Sequence, residues 1–408
     1  MTDERAGAAK GSPREVFWAF LGLGLTAFGG PIAHIGYFRR AFVEKRAWLA
    51  ETAYADLVAL CQFLPGPASS QVGFSIGLLR AGWMGGLAAW CGFTLPSAAL
   101  MVAFAYLQPR IAGGPLGAAA IHGLKLTAVA IVAQALLGMA RSLCPDARRA
   151  TIAATALAVV VAAPVAVGQI AAIGLGALAA LVFCRDAKAV AGAAPAPPAA
   201  AFRTRASPWI AAAVIGLFAV LFIPGALVFG QVPQAALFHA FYKSGALVFG
   251  GGHVVLPLLR AQTVTTGWVS DNAFLAGYGA AQALPGPLFT FAAYLGAISV
   301  AGGGLSGAAI ALAAIFLPGL LLVAGILPYW SRLQRMATAQ AAMRGAGAAV
   351  VGILAVAFYS PVFTSAVGDG ADLAIAAIGF VLLTAWKAPP LAVVGFCTAS
   401  AVALAVAG

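Results

Sequence analysis

Charge is what this sequence lacks. Only 8% of its 408 residues are Asp, Glu, Lys or Arg, against about a quarter in an average soluble domain, while 62% are hydrophobic. No charged residue occurs anywhere from Asn272 to Ser331, and Thr151 to Cys184 is a second uncharged run. Such stretches exclude a water-soluble fold. A bilayer core of about 30 Å needs roughly 20 apolar residues per helical crossing, so the chain is predicted to cross many times. The alternating ten-residue pattern of a membrane barrel is missing too. Since backbone in lipid must satisfy its own hydrogen bonds, the fold class is all-α and polytopic.

Other absences narrow the chemistry. The five cysteines, Cys61, Cys91, Cys144, Cys184 and Cys397, are isolated, with no Cys-x-x-Cys spacing for metal or redox work. No Gly-x-x-x-x-Gly-Lys-Ser/Thr loop is present, so direct use of ATP is not supported. Neither a metal nor a cofactor is expected, and the residue pattern offers no enzyme site. The net charge of +12 comes in short clusters between apolar runs: Arg39, Arg40, Lys45 and Arg46; Arg141, Arg148 and Arg149; Arg185, Lys188, Arg203 and Arg205. Nucleic acid would need a basic stripe, whereas clusters at helix ends orient a protein in a bilayer.

What is present is a repeat. Trp48 to Pro67 matches Trp268 to Pro287 at an offset of 220, with seven of twenty positions identical. Phe28-Gly29-Gly30 likewise matches Phe249-Gly250-Gly251, Leu95-Pro96 matches Leu317-Pro318, and Gly123 matches Gly345. This predicts a tail at 1–13, a first unit at 14–183, an Ala/Pro-rich basic linker at 184–208, an extra span at 209–230 and a second unit at 235–406. The tail is too polar, and the apolar run from Val16 to Phe38 too long, for a cleaved signal peptide; that run reads as the first span. An even number of crossings per unit makes the copies antiparallel and an odd number makes them parallel. The basic linker favours the even count and the Arg39 to Arg46 loop the odd one.

Leu64-Pro65-Gly66-Pro67 and Leu284-Pro285-Gly286-Pro287 must interrupt helices, because proline removes a donor and glycine releases the helical constraint. The flanking segments of twelve or thirteen residues form either one broken crossing or a re-entrant hairpin. Irregular backbone at membrane depth belongs where it lines protein or a watery cavity, and matched breaks in two halves point to a transporter's central site. A mere kink, or a loop outside the membrane, is the plainer alternative. After the first break, Ser69, Ser70 and Gln71 stand at a helix start, where free amides favour anions; after the second, only Thr290 is polar. Gln62 and Gln282 precede the breaks, and Gly29, Gly30, Gly250 and Gly251 form the other matched pair.

Ionisable residues at membrane depth are functional candidates by default. They are Asp56, Arg80, Lys125, Lys243 and Arg344, with His34, His122, His239 and His253. Lys125 and Arg344 hold near-equivalent places and could meet a dianion, or simply snorkel to the interface. His34 and His253 follow Gly-rich turns and are candidates to relay protons, although a lone His is more often just hydrogen-bonded to a neighbour. Asp56 reads as the one carboxylate well inside an apolar segment, hence a protonation candidate.

Phe28-Gly29-Gly30-Pro31-Ile32-Ala33-His34-Ile35, Gln62 to Gly73 and Phe249-Gly250-Gly251-Gly252-His253-Val254-Val255-Leu256-Pro257 together resemble the chromate transporter family, in its long two-domain form, over nearly the whole chain. That resemblance implies two inverted halves of six spans with an extra span between, and export of chromate from the bacterial cytoplasm through the inner membrane, driven by membrane potential or a proton gradient. It implies sulfate as a competitor; the alternative is an uptake carrier for sulfate or a related oxyanion. The motif residues carried over are Gly29, Gly30, Pro65, Gly66, Pro67 and Gln71, with Gly250, Gly251, Pro285, Gly286 and Pro287. Association with further copies of the chain is left open.

Overall fold

The computed structural model describes residues 11–163, 165–183, 208–222, 232–249 and 251–407. Most of the expected tail and linker, the last part of the expected span at 209–230, and Gly250 lie outside the described residues. Among those described, every regular element is helical. Five helices are long and apolar enough to cross a membrane: Ala68–Ile111, Pro115–Leu143, Gly304–Leu333, Ala337–Phe363 and Pro390–Ala407. Trp209, Val182 and Val220 are among the large apolar side chains left on the outside, as lipid contact requires.

The run from Val16 to Phe38 is not a span, contrary to the sequence reading. It is a hairpin of α1 (Pro13–Thr26) and α2 (Gly30–Phe38). Phe20 meets Phe38 edge-on at 5.4 Å between ring centroids and stacks on Phe42 at 4.6 Å, whereas a continuous helix would hold Phe20 and Phe38 about 27 Å apart. The reversal is made by Gly29 and Gly30 at φ 102° and 76°, a region costly for residues with a Cβ. Ser12 caps α1 by accepting the Glu15 N–H at 3.1 Å.

A second hairpin follows. α3 (Glu51–Phe63) descends to Leu64-Pro65-Gly66-Pro67, and α4 (Ala68–Ile111) returns, with Cys61 against Ser75. At Ala81–Gly82 the helix leaves helical geometry and doubles back, bringing Gly77 against Gly85. The second half repeats the pattern with α8 (Pro208–Phe222) before it: α9 (Pro233–Ala246) with α10 (Val255–Thr263), then α11 (Asp271–Gln282) with α12 (Phe291–Ile298). Phe291 meets Phe274 and Tyr278 edge-on at 5.1 and 5.8 Å, and Tyr294 donates to the Ala273 carbonyl at 2.9 Å. Both Leu-Pro-Gly-Pro segments are therefore tips of re-entrant hairpins. Each hairpin base carries an ion pair at the same repeat position, Arg39–Glu51 at 2.7 Å and Arg260–Asp271 at 3.0 Å.

Arg80, at the α4 kink, pairs with Glu15 at 3.2 Å and lies 5.0 Å over the Trp48 ring. The start of α1, the base of the second hairpin and the kink thus share one end of the molecule. The loop at Arg39 to Arg46 therefore returns to the end where α1 begins. The rest of α4 is followed by α5 (Pro115–Leu143), α6 (Ala147–Ala162) and α7 (Val165–Phe183).

The second half continues with α13 (Gly304–Ile326), a short α14 (Trp330–Leu333), α15 (Ala337–Ala357), α16 (Gly370–Thr384) and α17 (Pro390–Ala407). α5 and α15 are equivalents, and they lie antiparallel. Near the start of α5, Lys125 donates to the carbonyl of Ser365, beyond the end of α15, at 3.3 Å; at its far end, Leu143 packs beside Gly347. Inverted repeats are the geometric result. The halves also exchange partners: Gly123 of α5 abuts Thr398 of α17, and Gly345 of α15 abuts Gly176 of α7. Small residues allow these close helix approaches, the usual means of association in lipid.

Candidate functional site

Four hairpin tips meet where the halves face each other. The Gly66 N–H donates to the Val248 carbonyl at 2.7 Å, and the Gly286 N–H donates to the Ala27 carbonyl at 2.9 Å. Val248 immediately precedes Phe249-Gly250-Gly251 and Ala27 precedes Phe28-Gly29-Gly30, so each Leu-Pro-Gly-Pro tip docks on the glycine turn of the opposite half. Further contacts close the ring: Gly252 faces Pro31 and the Leu288 and Phe289 side chains. Sequence reading matched the breaks to one another; that they cross-pair is new.

Two residues missed by that reading complete the tips. Gly319, after Leu317-Pro318, lies against Gly66 and Pro67, and its equivalent Ser97, after Leu95-Pro96, lies against Gly286. The Leu-Pro repeat was a signal for both, but it was used only as an alignment landmark. Gln71 is fully buried and its Nε2 donates to the Pro65 and Gly319 carbonyls, each at 3.0 Å, tying the first tip to α13. Its equivalent is Phe291, so the second tip has no such tie.

The first tip is the more polar. At the start of α4, the amides of Ala68, Ser69 and Ser70 make no backbone hydrogen bond among the described residues, whereas the Gln71 N–H returns to the Pro67 carbonyl. Ser69 Oγ lies 3.4 Å from His34 Nδ1, and His34 Nε2 lies 3.2 Å from the Ala27 carbonyl. The Ser70 hydroxyl is buried with no hydrogen-bond partner among the described residues. Open amides, two hydroxyls and a helix N-terminus can hold an oxyanion without a full countercharge. The Gln71 Oε1, also unpartnered, accepts only donors. At the second tip the chain starts as a 3-10 turn, Leu288–Thr290, and Thr290 donates to the Pro287 carbonyl at 2.9 Å. Pro285, Gly286 and Pro287 are buried there, and His253 Nδ1 lies 2.6 Å from the Tyr278 hydroxyl, one turn before Gln282.

The structure separates the remaining candidates. Gln62 and Arg344 line a common cavity beside the first tip. Lys125 is not brought to the tips: it lies 3.2 Å from Asn272 Oδ1 and 3.3 Å from the Ser365 carbonyl, towards the base of the second-half hairpin. Asp56 is half-buried on α3. It is not the only carboxylate within the apolar segments, as the sequence suggested. Asp372 is more deeply buried, accepts the Gly368 N–H at 2.9 Å and sits 2.6 Å from His122 Nε2. It lies in the first turn of α16, behind the Asp369 cap, and is not among the ionisable residues singled out from the sequence.

Comparison with known proteins agrees with the repeated architecture. A family model described as chromate transporter matches residues 14–183 and again 235–404. The chain is 30% identical to the chromate transport protein of Pseudomonas aeruginosa over 91% of its length and 87% of that protein's. It is 29% identical to a probable chromate transport protein of Synechococcus elongatus, covering 82% of the chain and 81% of the relative. With the chromate transport protein of Cupriavidus metallidurans identity is 28%, over 84% and 80%. No solved structure matches the chain.

Proposed function

The chain belongs to the chromate transporter family, and on that premise we propose that it is a secondary transporter exporting chromate from the cytoplasm across a bacterial inner membrane, driven by membrane potential or a proton gradient. The observation that carries the reading is the cross-docking of two inverted pairs of hairpin tips around the open start of α4. A tetrahedral dianion is accommodated there by the Ala68, Ser69 and Ser70 amides and the two serine hydroxyls, with Gln71 holding the tip in place. Because each tip is fixed to the opposite half, a relative movement of the halves reshapes both tips together, which is the mechanical requirement of alternating access. Gln62, Pro65, Gly66 and Pro67 shape the first side of the site; Gln282, Pro285, Gly286 and Pro287 shape the second.

His34, against Ser69, and His253, against Tyr278, are the proton-relay candidates closest to the tips, and Asp56 is the candidate on the first hairpin's entering helix. Sulfate, of the same shape and charge, is the expected competitor. Energised everted vesicles carrying the protein are expected to accumulate radiolabelled chromate, and sulfate to reduce the uptake; accumulation no greater than in empty vesicles overturns the proposal. Asp56→Asn is expected to remove the dependence on a proton gradient. Unchanged gradient dependence in that variant takes Asp56 out of the mechanism.

A further inference from the structure

Beside the first Leu-Pro-Gly-Pro tip lies a cavity of 260 Å³, lined by Gln62, Leu143, Phe249, Gln340, Arg344 and Gly347 among others. A water's share of liquid volume is about 30 Å³, so the space holds a small oxyanion with part of its hydration. Its charged lining group is Arg344, and no Asp or Glu is among the described lining residues. The planar guanidinium fits two oxygens of a tetrahedral anion.

Inverted repeats give this cavity a counterpart at the opposite end, with His122 in the place of Arg344, Lys125 in that of Gly347, Ser365 in that of Leu143 and Gln282 in that of Gln62. There the side chains bond across the gap. Lys125 reaches the Ser365 carbonyl and Asn272, and His122 is bridged to Asp372 across the two halves. The carboxylate of Asp372 would also repel a dianion. One end therefore lines an open volume with an arginine, and at the other the lysine and histidine reach across to Ser365, Asn272 and Asp372.

Resting on the transport reading, we propose that the Arg344 cavity is an anion-binding mouth that admits a tetrahedral oxyanion dianion to the first tip, and that the equivalent mouth is held shut by Lys125 and the His122–Asp372 bridge. The opening is made by Gly347, which leaves empty the volume Lys125 occupies at the other end. A Cβ at Gly347 meets Leu143 carbons at 3.6 and 3.8 Å, ordinary contact, so a cysteine is accommodated.

The test is thiol labelling of the full chain, with its five cysteines replaced, in right-side-out and inside-out vesicles. The reagent is a membrane-impermeant maleimide, and molybdate serves as a tetrahedral dianion that does not oxidise thiols. Gly347→Cys is expected to label from one face only. Molybdate at about ten times its half-protecting concentration should slow labelling roughly tenfold, the unoccupied fraction set by mass action. Ser365→Cys should stay unlabelled from both faces until combined with Lys125→Ala or Asp372→Asn. Labelling of Gly347→Cys indifferent to molybdate, or Ser365→Cys labelling as fast as Gly347→Cys, overturns the proposal even where chromate flux is intact. Molybdate protection without any chromate flux keeps the mouth and overturns the transport reading instead.

Discussion

Replacing Gly66 with alanine imposes two separate costs on the first tip. The backbone there has φ 125°, a conformation nearly closed to L-residues, and holding alanine in it is worth about 1–3 kcal/mol. The added methyl would also lie 2.9 Å from Gly319 Cα and 2.9 Å from Gln71 Nε2. Gln71 can swing aside only by giving up both its carbonyl acceptors, and the Gly319 backbone belongs to α13, so overpacking adds about 1–3 kcal/mol. The sum, about 2–6 kcal/mol, is a large share of a typical stability of about 5–15 kcal/mol. Gly30→Ala is the control: its φ is 76° and nothing lies within 4 Å of a Cβ, leaving left-handed strain of about 1–2 kcal/mol alone. Thermal unfolding in detergent, followed by size exclusion, should place the Gly66 variant well below the Gly30 variant. Chromate uptake in everted vesicles should be lost in the first and partly kept in the second. Equal melting midpoints and equal fluxes for the two variants would refute the packing argument.

Gln71→Leu strands two carbonyls, and at about 0.6 to 1.7 kcal/mol for each interhelical bond in a membrane it should lower the melting midpoint measurably; Gln71→Glu, which loses the same donor, should match it, and a wild-type midpoint for either denies the tie between halves. Asp372→Asn weakens a charge-assisted bond to His122, and a loss of about 1–2 kcal/mol is expected in the same unfolding assay, largely suppressed when His122 is already Gln. Asp146, outside the membrane segments, caps α6 by accepting the Arg149 N–H at 3.0 Å, and this bond, then that to the Arg149 side chain, lowers its carboxyl below the usual range. The sign follows from a depressed folded value: the charge stabilises above the unfolded value of about 4 and is lost as pH falls through the folded one. Asp146→Asn keeps the cap, so its midpoint should sit slightly below wild type at pH 6 and converge with it in acid.

Much of this fold is legible in the sequence because hydropathy and breaks are local signals. The helical class, the repeat and the matched Leu-Pro-Gly-Pro interruptions all follow from residues close together in the chain. What the sequence could not convey is how each interruption bends. Val16 to Phe38 has the length and hydropathy of a crossing, and only the positive φ at Gly29 and Gly30 turns it back. Pairings between distant residues were equally hidden: nothing local in Asp372 announces His122, and nothing in Gly66 announces Val248. Ser69, Ser70 and Gln71 stand out as a polar run after a break, but the run divides by position, since Gln71 braces the tip while the serines line the open helix start.

The exchange of helices between the halves has a consequence for assembly. The glycine face of α7 at Gly176 is completed by Gly345 and Ala349 of α15, and α5 is completed by α16 and α17 at the very end of the chain. The first half alone therefore leaves these faces of α5 and α7 without their partners. Completing the packing needs both halves of the chain. A truncation before α15 would leave α6 and α7 without the helix that packs on both.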